Sequence, residues 1–507
     1  MPLVIAQDDA PVLTPIDPAP LPTPVPAGPN RGPADVEVVG QVVQWWQGSS
    51  PLQLVGYGLI VLVALVLTAI ALTTLWWMLH AWRSTSALTA TGFRTANANE
   101  RTPTLSFTLL VPARHEEEVL AHTLERLVEQ DHPDVEIIAI VGHDDPGTEA
   151  VARSVADRFP DRVRVVVDDS VPKNKPKALN LALQTSRGEI VGVFDAEDEV
   201  HPQLLRLVDE RFATTGADVV QGGVQLMNIE TSWWSLRNVL EYYFWFRSRL
   251  HFHAEQRFIP LGGNTVFLRT DQVRDAGGWD AECLAEDCEI GVRLSSQGAR
   301  VVVAYDPEVV TREETPGSLP SLYKQRTRWS QGFLQVLRKG EWKKLPGRSQ
   351  RLMARYMLSM PFLQAGTGLL IPISLALVLF AKVPTPIALI SFLPLVPTVI
   401  VLCVEVAGLG EFGRVYDRKV RIRDYVRLVL GTFPYQVFLA LAAVRAVVRE
   451  TRGERGWEKT EHAGAHIDRS AGVPSLSAPS PAASSTDASP TATSDTTAPV
   501  TAGAARS

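Results

Sequence analysis

Four acidic side chains follow a short apolar run near the middle of the chain. Residues 190–194, IVGVF, are long enough for a buried strand. The acidic residues directly after them are Asp195, Glu197, Asp198 and Glu199. Open α/β sheets bind ligands beyond the carboxyl ends of their strands, where crowded carboxylates repel one another unless a cation joins them. The pattern therefore indicates a divalent cation that holds phosphates, or alternatively a solvated loop that caps the next helix.

Charged residues also follow two other predicted strands. Asp144 and Asp145 end one of them, and either carboxylate could accept an N–H from a nucleotide base. An Asp-Pro-Gly turn that caps a helix explains the same pair. Lys173, Lys175 and Lys177 open a helix, where ammonium groups oppose the helix dipole. A bound anion would explain them, and a solvated charged run is the alternative.

Two later motifs carry groups suited to a sugar or a phosphate. Glu286 and Asp287 precede a helix, which they could simply cap. Gln325, Arg328 and Trp329 are spaced i, i+3 and i+4, so they share one face of a helix. Arginine contacts phosphate in a forked geometry, and tryptophan stacks on the apolar face of a sugar. An amphipathic helix with its tryptophan in the core would show the same spacing.

The elements that must position these residues lie between residues 104 and 340. Four β-rich runs, SFTLLVP, VEIIAIVG, RVRVVVDD and EIVGVFDA, alternate there with segments of helical apolar spacing. Such alternation predicts βαβ units and a parallel sheet covered on both faces, an α/β domain.

Apolar segments flank this domain. Residues 53–80 are long enough to cross a bilayer, and residues 354–410 predict two more transmembrane helices. The segment 425–448 contains Pro434 and Arg445 and is flanked by positive charge, so it is either a fourth transmembrane helix or a re-entrant or interfacial one.

Charge asymmetry predicts the orientation. Arg83, Arg94 and Arg101 follow the first apolar segment, which places the N-terminus outside and the domain in the cytoplasm of a multi-pass plasma-membrane protein. Residues 232–254 are rich in aromatics and arginines, which predicts an interfacial helix with its guanidinium groups facing outward. A core helix of the domain is the alternative.

Composition bounds the rest of the chain. Residues 1–50 are rich in proline, and residues 463–507 are rich in serine, proline, threonine and alanine, so both are predicted to be disordered. The net charge of −6 over 507 residues gives no basic excess that would point to nucleic acid. The three cysteines have no zinc-type spacing.

In this order, the motifs resemble those of the membrane-integrated family 2 glycosyltransferases related to cellulose and hyaluronan synthases. They are VPARHEE, the Asp pair, K-A-x-N, a DxD-like site, E-D and QxxRW, to which WEKTEH at 457–462 adds a closing match. The resemblance implies a GT-A type nucleotide-sugar-binding domain with a mixed, mostly parallel sheet, joined to transmembrane helices.

The resemblance also implies roles for individual residues. It assigns donor and nucleotide binding to Asp144, Asp145, Lys177, Gln325, Arg328 and Trp329. Metal binding falls to Asp195 with Glu197 or Asp198, because the usual second aspartate of the DxD is Glu197 here. Asp287 is the general base, and Glu286 and Trp329 lie on the acceptor side.

The expected activity is inverting transfer from a UDP- or GDP-sugar, with Mg²⁺ or Mn²⁺, to a growing β-linked polysaccharide. The expected partners are a saccharide or lipid acceptor, the bilayer, and a homo-oligomer or export partner. One alternative is the non-processive addition of a single sugar to a lipid. Another is a catalytically silent scaffold or translocation subunit.

Overall fold

The computed structural model describes residues 48–83, 102–380 and 383–458. The predicted C-terminal tail lies outside the described residues, as does the N-terminal one except for residues 48–50. The strands are β1 (Phe107–Ala113), β2 (Val135–Gly142), β3 (Val163–Asp168), β4 (Ile190–Val193), β5 (Val219–Gly222), β6 (Val224–Leu226), β7 (Val266–Arg269), β8 (Val301–Ala304) and β9 (Thr311–Glu313).

The helices of the described residues fall before, within and after the sheet. In chain order they are α1 (Pro51–Met78), α2 (His80–Arg83), α3 (Leu120–Val128), α4 (Pro146–Arg158), α5 (Lys175–Thr185), α6 (Leu204–Thr215), α7 (Trp233–Phe244), α8 (Leu250–Glu255), α9 (Thr270–Asp275), α10 (Glu286–Ser296), α11 (Leu319–Lys339), α12 (Arg348–Leu358), α13 (Met360–Phe380), α14 (Thr385–Ser391), α15 (Leu395–Val415) and α16 (Ile422–Arg452).

Seven of the described strands form one sheet in the order β3-β2-β1-β4-β7-β5-β8. All neighbouring pairs are parallel except those made by β7, which is antiparallel to both β4 and β5. The predicted α/β domain with a mixed, mostly parallel sheet is therefore confirmed.

Apolar residues alternate between the two faces of the sheet, and helices cover both faces. On β1, Leu110 belongs to one core cluster, and Leu109 and Val111 belong to the other. Helix α5 packs over the first face, while α3, α4 and α6 pack over the second. Because both faces are covered, polar groups concentrate beyond the strand ends.

A second, two-stranded sheet fixes the loop that follows β4. Strands β6 and β9 pair in parallel. The backbone of Glu199, in that loop, exchanges two hydrogen bonds with Arg312 on β9, of 3.1 and 3.0 Å. The acidic segment after β4 is thereby held against the end of β9, which carries Glu313.

Four helices of the described residues are long and apolar enough to cross a membrane. They are α1, α13, the α14–α15 pair (Thr385–Val415) and α16. The segment 425–448, predicted as either a transmembrane or a re-entrant or interfacial helix, lies within the continuous 31-residue helix α16, which contains Pro434. Its topology and that of the other three remain predictions.

The aromatic segment 232–254 comprises α7, a π-helical turn at Trp245–Arg249, and α8. The prediction that its guanidinium groups face outward is wrong for Arg237 and Arg247. The Arg237 side chain is only 5% exposed and forms a forked ion pair with Glu405 on α15, at 2.6 and 3.0 Å. Arg247 pairs with Glu411 on the same helix. The carboxylates on α15 draw these arginines inward, because a buried charge needs a partner.

Helix α11 packs so closely on the loop before α10 that only glycine fits at one position. A Cβ on Gly332 would lie 2.6 Å from the backbone nitrogen of Ala285, the residue before Glu286. We therefore expect Gly332→Ala to push α11 away and to lower the free energy of unfolding by about 1–3 kcal/mol. Thermal unfolding measures the change. Gly317→Ala is the matched control, because nothing lies within 4 Å of its Cβ position, and equal stability of the two variants would contradict this packing.

Candidate active site

A cavity of about 700 Å³ opens beyond the carboxyl ends of β1, β2 and β4. Most residues singled out in the sequence line it, although they come from distant parts of the chain. They are Asp144, Asp195, Glu197, Glu286, Asp287, Gln325, Arg328 and Trp329. Asp145, Lys177 and Asp198 are not among its lining residues.

Asp195 and Glu197 supply carboxylate oxygens at the end of β4. Burial, together with the charges of Asp195 and Glu116, raises the pKa of Glu197 to about 8. A cation would relieve the repulsion that contributes to this shift, and the carboxylate oxygens of Asp195 and Glu197 are a donor set that fits Mg²⁺ or Mn²⁺.

Asp198 points away from the cavity and fixes the loop instead. Its carboxylate accepts a 2.8 Å hydrogen bond from the Asp195 backbone N–H and a 3.0 Å bond from the Asn264 side-chain amide, and the residue is fully buried. The Asn264 amide also donates to Glu313. Burial and the nearby Glu313 charge raise the pKa of Asp198. Glu197 is therefore better placed than Asp198 as the second metal ligand.

The two carboxylates after β2 have different surroundings. Asp144 lines the cavity and pairs with Arg114 at 3.1 Å. Asp145 is buried at the start of α4 and accepts a 2.6 Å hydrogen bond from the His115 backbone N–H. Burial acts to raise its pKa, but these hydrogen bonds outweigh that effect and lower it. Because Asp145 caps the helix and does not line the cavity, Asp144 is the better-placed carboxylate, and donor binding by either residue stays a prediction.

Lys175 occupies the position expected for Lys177. Its ammonium group pairs with Asp195 and donates a 2.8 Å hydrogen bond to the Gly263 carbonyl. Burial opposes its charge, but Asp195 and Glu286 raise its pKa, so it stays protonated. Lys177 donates instead to the Pro172 carbonyl at 2.8 Å. Two residues advance a helix by about 200°, which turns Lys177 away from the cavity.

Glu286 and Asp287 begin α10 and face Lys175 across the cavity. Burial and the Asp287 charge raise the pKa of Glu286 to about 7. Burial also raises the pKa of Asp287, whose Oδ1 accepts a 2.7 Å hydrogen bond from the Cys288 N–H. Asp287 Oδ2 would lie 3.1 Å from a Cβ on Gly263, so a side chain at position 263 would crowd this carboxylate. A carboxylate with a raised pKa that lines a cavity is suited to accept a proton.

Helix α11 contributes the cationic and aromatic wall. The guanidinium of Arg328 lies 4.4 Å from the centre of the Trp457 ring and donates a 3.0 Å hydrogen bond to the Glu458 carbonyl. The Trp329 ring packs against Tyr242, with 6.3 Å between ring centres. The predicted face of Gln325, Arg328 and Trp329 therefore does line the cavity.

Sequence reasoning missed some of the lining. Glu313 faces the cavity from β9 and lies in no motif that the sequence marks. Tyr242 faces it from α7, although the sequence marked its segment, 232–254, only as an interfacial or core helix. Lys175 was visible only as one of three spaced lysines, and its helical phase was the signal that could have selected it.

Part of the chain is similar in sequence to a known protein family. Residues 103–332 match the sequence model of a protein family described as "Glycosyltransferase like family 2". This match covers 230 of the 507 residues and supports a family 2 glycosyltransferase domain in that part of the chain. The predicted family is confirmed at this level, whereas the processive, cellulose- or hyaluronan-synthase-like subtype stays a prediction.

Individual relatives of this glycosyltransferase are distant. A β-monoglucosyldiacylglycerol synthase of Synechocystis is 27% identical over 238 residues, covering 45% of this chain and 47% of that protein. A poly-β-1,6-N-acetyl-D-glucosamine synthase of Staphylococcus epidermidis is 22% identical over 239 residues, covering 46% and 56%. The chain thus matches about half the length of these curated relatives.

A solved structure shares the fold of this chain. The mannosyltransferase PcManGT from Pyrobaculum calidifontis, in complex with GDP-Man and Mn²⁺, superposes with a TM-score of 0.51 at 18% identity. The superposition covers 78% of this chain and 99% of that one. This agreement supports the GT-A type fold.

The two lysines give a direct test of the site. We expect Lys175→Met to lower kcat/KM by at least about 100-fold, because it removes a buried positive charge beside the carboxylates. Lys177→Met should change it by about threefold or less, since that side chain lies outside the cavity. Steady-state kinetics with the nucleotide sugar measures kcat/KM for both variants. A larger loss in Lys177→Met than in Lys175→Met would support the expectation drawn from the sequence.

Proposed function

We propose that this protein is an inverting glycosyltransferase that moves one sugar from a nucleotide-sugar donor to a lipid acceptor at the membrane surface. One observation carries the transfer reaction. Candidate metal ligands (Asp195 and Glu197), a candidate base (Asp287) and two cations (Lys175 and Arg328) all face a single cavity at the end of a GT-A sheet.

The donor diphosphate would lie between the acidic loop after β4 and the basic side chains. Asp195 and Glu197 would hold a divalent cation, which, when bound, neutralises charge on the leaving diphosphate. Lys175 and Arg328 supply fixed positive charge on the same side, and they stabilise the charge that grows on the diphosphate as the glycosidic bond breaks. Asp144 would contact the nucleotide.

Asp287 would act as the general base. Its carboxylate would take the proton from the acceptor hydroxyl as the oxygen attacks the anomeric carbon, opposite the departing diphosphate. One such in-line displacement inverts that carbon and converts an α-linked donor into a β-glycoside. A single carboxylate base is sufficient, unlike the carboxylate pair of hydrolases.

Two observations favour a lipid acceptor that receives one sugar. The first is the relative from Synechocystis, named for glycosylation of diacylglycerol. The second is a set of contacts beside Trp329. The buried Arg326 guanidinium lies 4.8 Å from the centre of the Trp329 ring and donates to the Glu241 carboxylate at 2.6 and 2.8 Å. Tyr435 on α16 donates to the same carboxylate at 2.9 Å. A polymer leaving past Trp329 would have to part the helices that these bonds join.

A processive polysaccharide synthase is the second candidate. The relative from Staphylococcus epidermidis, named for a polymer product, favours it, as does the direct continuation of α11 and α12 into the apolar α13. A polymer would need an exit, so this candidate implies an export partner or oligomer. Both candidates place the domain in the cytoplasm under a plasma membrane, following the positive charges after α1.

Product size distinguishes the two candidates. Membranes that contain the protein are incubated with radiolabelled UDP- and GDP-sugars and diacylglycerol, with and without Mn²⁺. We expect one donor to yield a single labelled glycolipid and a metal chelator to abolish it. Membranes with Asp287→Asn are the control for other transferases. Labelled polymer that stays in the aqueous phase would contradict the lipid proposal and support the second candidate.

Asp287→Asn should lower turnover by at least about 100-fold while leaving binding of the nucleotide diphosphate unchanged, because only the proton acceptor is lost. Glu286→Gln is the comparison variant and should lose less. The pH profile adds a second measurement. A base works only when deprotonated, and the pKa of Asp287 is raised. Activity should therefore fall as pH drops through a value above the ordinary carboxyl range. Wild-type turnover by Asp287→Asn would refute this role.

A further inference from the structure

Arg249 lies between two tryptophan rings at the end of the apolar helix α1. Its guanidinium carbon is 3.9 Å from the centre of the Trp77 ring and 4.8 Å from that of Trp245. Trp77 is the penultimate residue of α1, and Tyr356 on α12 packs beside it with 6.0 Å between ring centres. The three aromatic residues form an aromatic slot around one cation.

The neighbouring serine fixes the slot to α1. Ser248 Oγ donates to the carbonyl of Trp77 at 2.5 Å and accepts a 2.9 Å hydrogen bond from the Ala81 N–H. Ser248 is fully buried, so the π-helical turn that carries it is held on the last turn of α1. Arg249 is therefore held at one depth relative to the apolar helix.

Arg249 lacks the counter-ion that its neighbours have. Arg237 and Arg247, on the same helical segment, each pair with a glutamate of α15. Among the described residues, no carboxylate or other hydrogen-bond acceptor contacts the Arg249 guanidinium, and its Nε is shielded from solvent without a partner. Burial lowers its pKa to about 10, although the charges of Tyr356 and Glu241 act in the opposite direction.

The geometry selects the kind of ligand. Both rings lie within cation–π distance of the guanidinium and supply part of its stabilisation. Its edge still carries N–H donors in a fork, which matches two oxygens of a phosphate. Since α1 is apolar throughout and ends at this level, the phosphate group nearest to the slot in a bilayer belongs to a phospholipid headgroup.

We propose that Arg249, Trp77 and Trp245 form a binding site for the phosphate of an anionic phospholipid. The site lies outside the donor cavity and is independent of the acceptor that the enzyme uses. Trp245 follows Tyr242 by three residues, and Tyr242 lines the donor cavity, so the lipid site and the cavity share one helical segment.

The test uses the full chain in a phosphate-free detergent and measures bound lipid by native mass spectrometry. Phosphatidylglycerol and phosphatidylcholine are titrated separately, and inorganic phosphate and glycerol phosphate form the soluble arm. Arg249→Gln removes the cation. Arg83→Gln is the matched control, because Arg83 stacks on Trp76 at 3.7 Å but already donates to the carbonyls of Leu79 and Trp76 at 3.2 and 2.6 Å.

We expect the wild type and Arg83→Gln to bind one phosphatidylglycerol at least about tenfold more tightly than phosphatidylcholine, and Arg249→Gln to lose that preference. If Arg249→Gln keeps it, the proposal is overturned. Equally tight binding of inorganic phosphate or glycerol phosphate would also overturn it, since the ligand would then be a free anion. If Arg249→Gln does not yield a folded protein, the variant Arg249→Lys is used to test the proposal. It should bind phosphatidylglycerol at least about threefold more weakly, and unchanged affinity would refute the site.

Discussion

Repulsion among buried carboxyl groups is the constraint on which the site depends. Asp195, Glu197, Glu286 and Asp287 face one cavity, and the pKa values of three of them are raised by burial. Lys175 is the protein's own response, since its ammonium group pairs with Asp195 and is attracted by the others. A ligand that brings a cation and a diphosphate would complete the balance of charge. The same crowding that costs stability thus provides the driving force for binding.

The mixed sheet brings these groups together. Because β7 runs antiparallel to β4, the segment just before β7 meets the loop just after β4, and Gly263 there approaches both Lys175 and Asp287. The small β6–β9 sheet holds the acidic loop from the other side. Helix α11 then closes over α10 through the contact of Gly332 with Ala285. The strands and helices therefore position each catalytic candidate.

The sequence predicted elements better than it predicted orientations. The run VEIIAIVG coincides with β2, and alternation of strands and helices was sufficient for the α/β class. Which of Asp144 and Asp145, or of Lys175 and Lys177, faces the cavity depends on helix phase and on capping, which differ between adjacent residues. The inward turn of Arg237 depends on Glu405, far away in sequence. No local pattern records a partner that only the tertiary fold brings close.

The position of Trp457 in the cavity wall determines which parts of the chain are needed to complete the cavity. The family match ends at residue 332, yet the cavity is completed by a residue that follows all four apolar helices. Arg445 and Arg449 of α16 both pair with Glu458, which anchors this returning segment. Residues 103–332 alone therefore do not supply the whole lining of the cavity. Excising those residues would remove Trp457 from the cavity wall, along with all four apolar helices of the described residues.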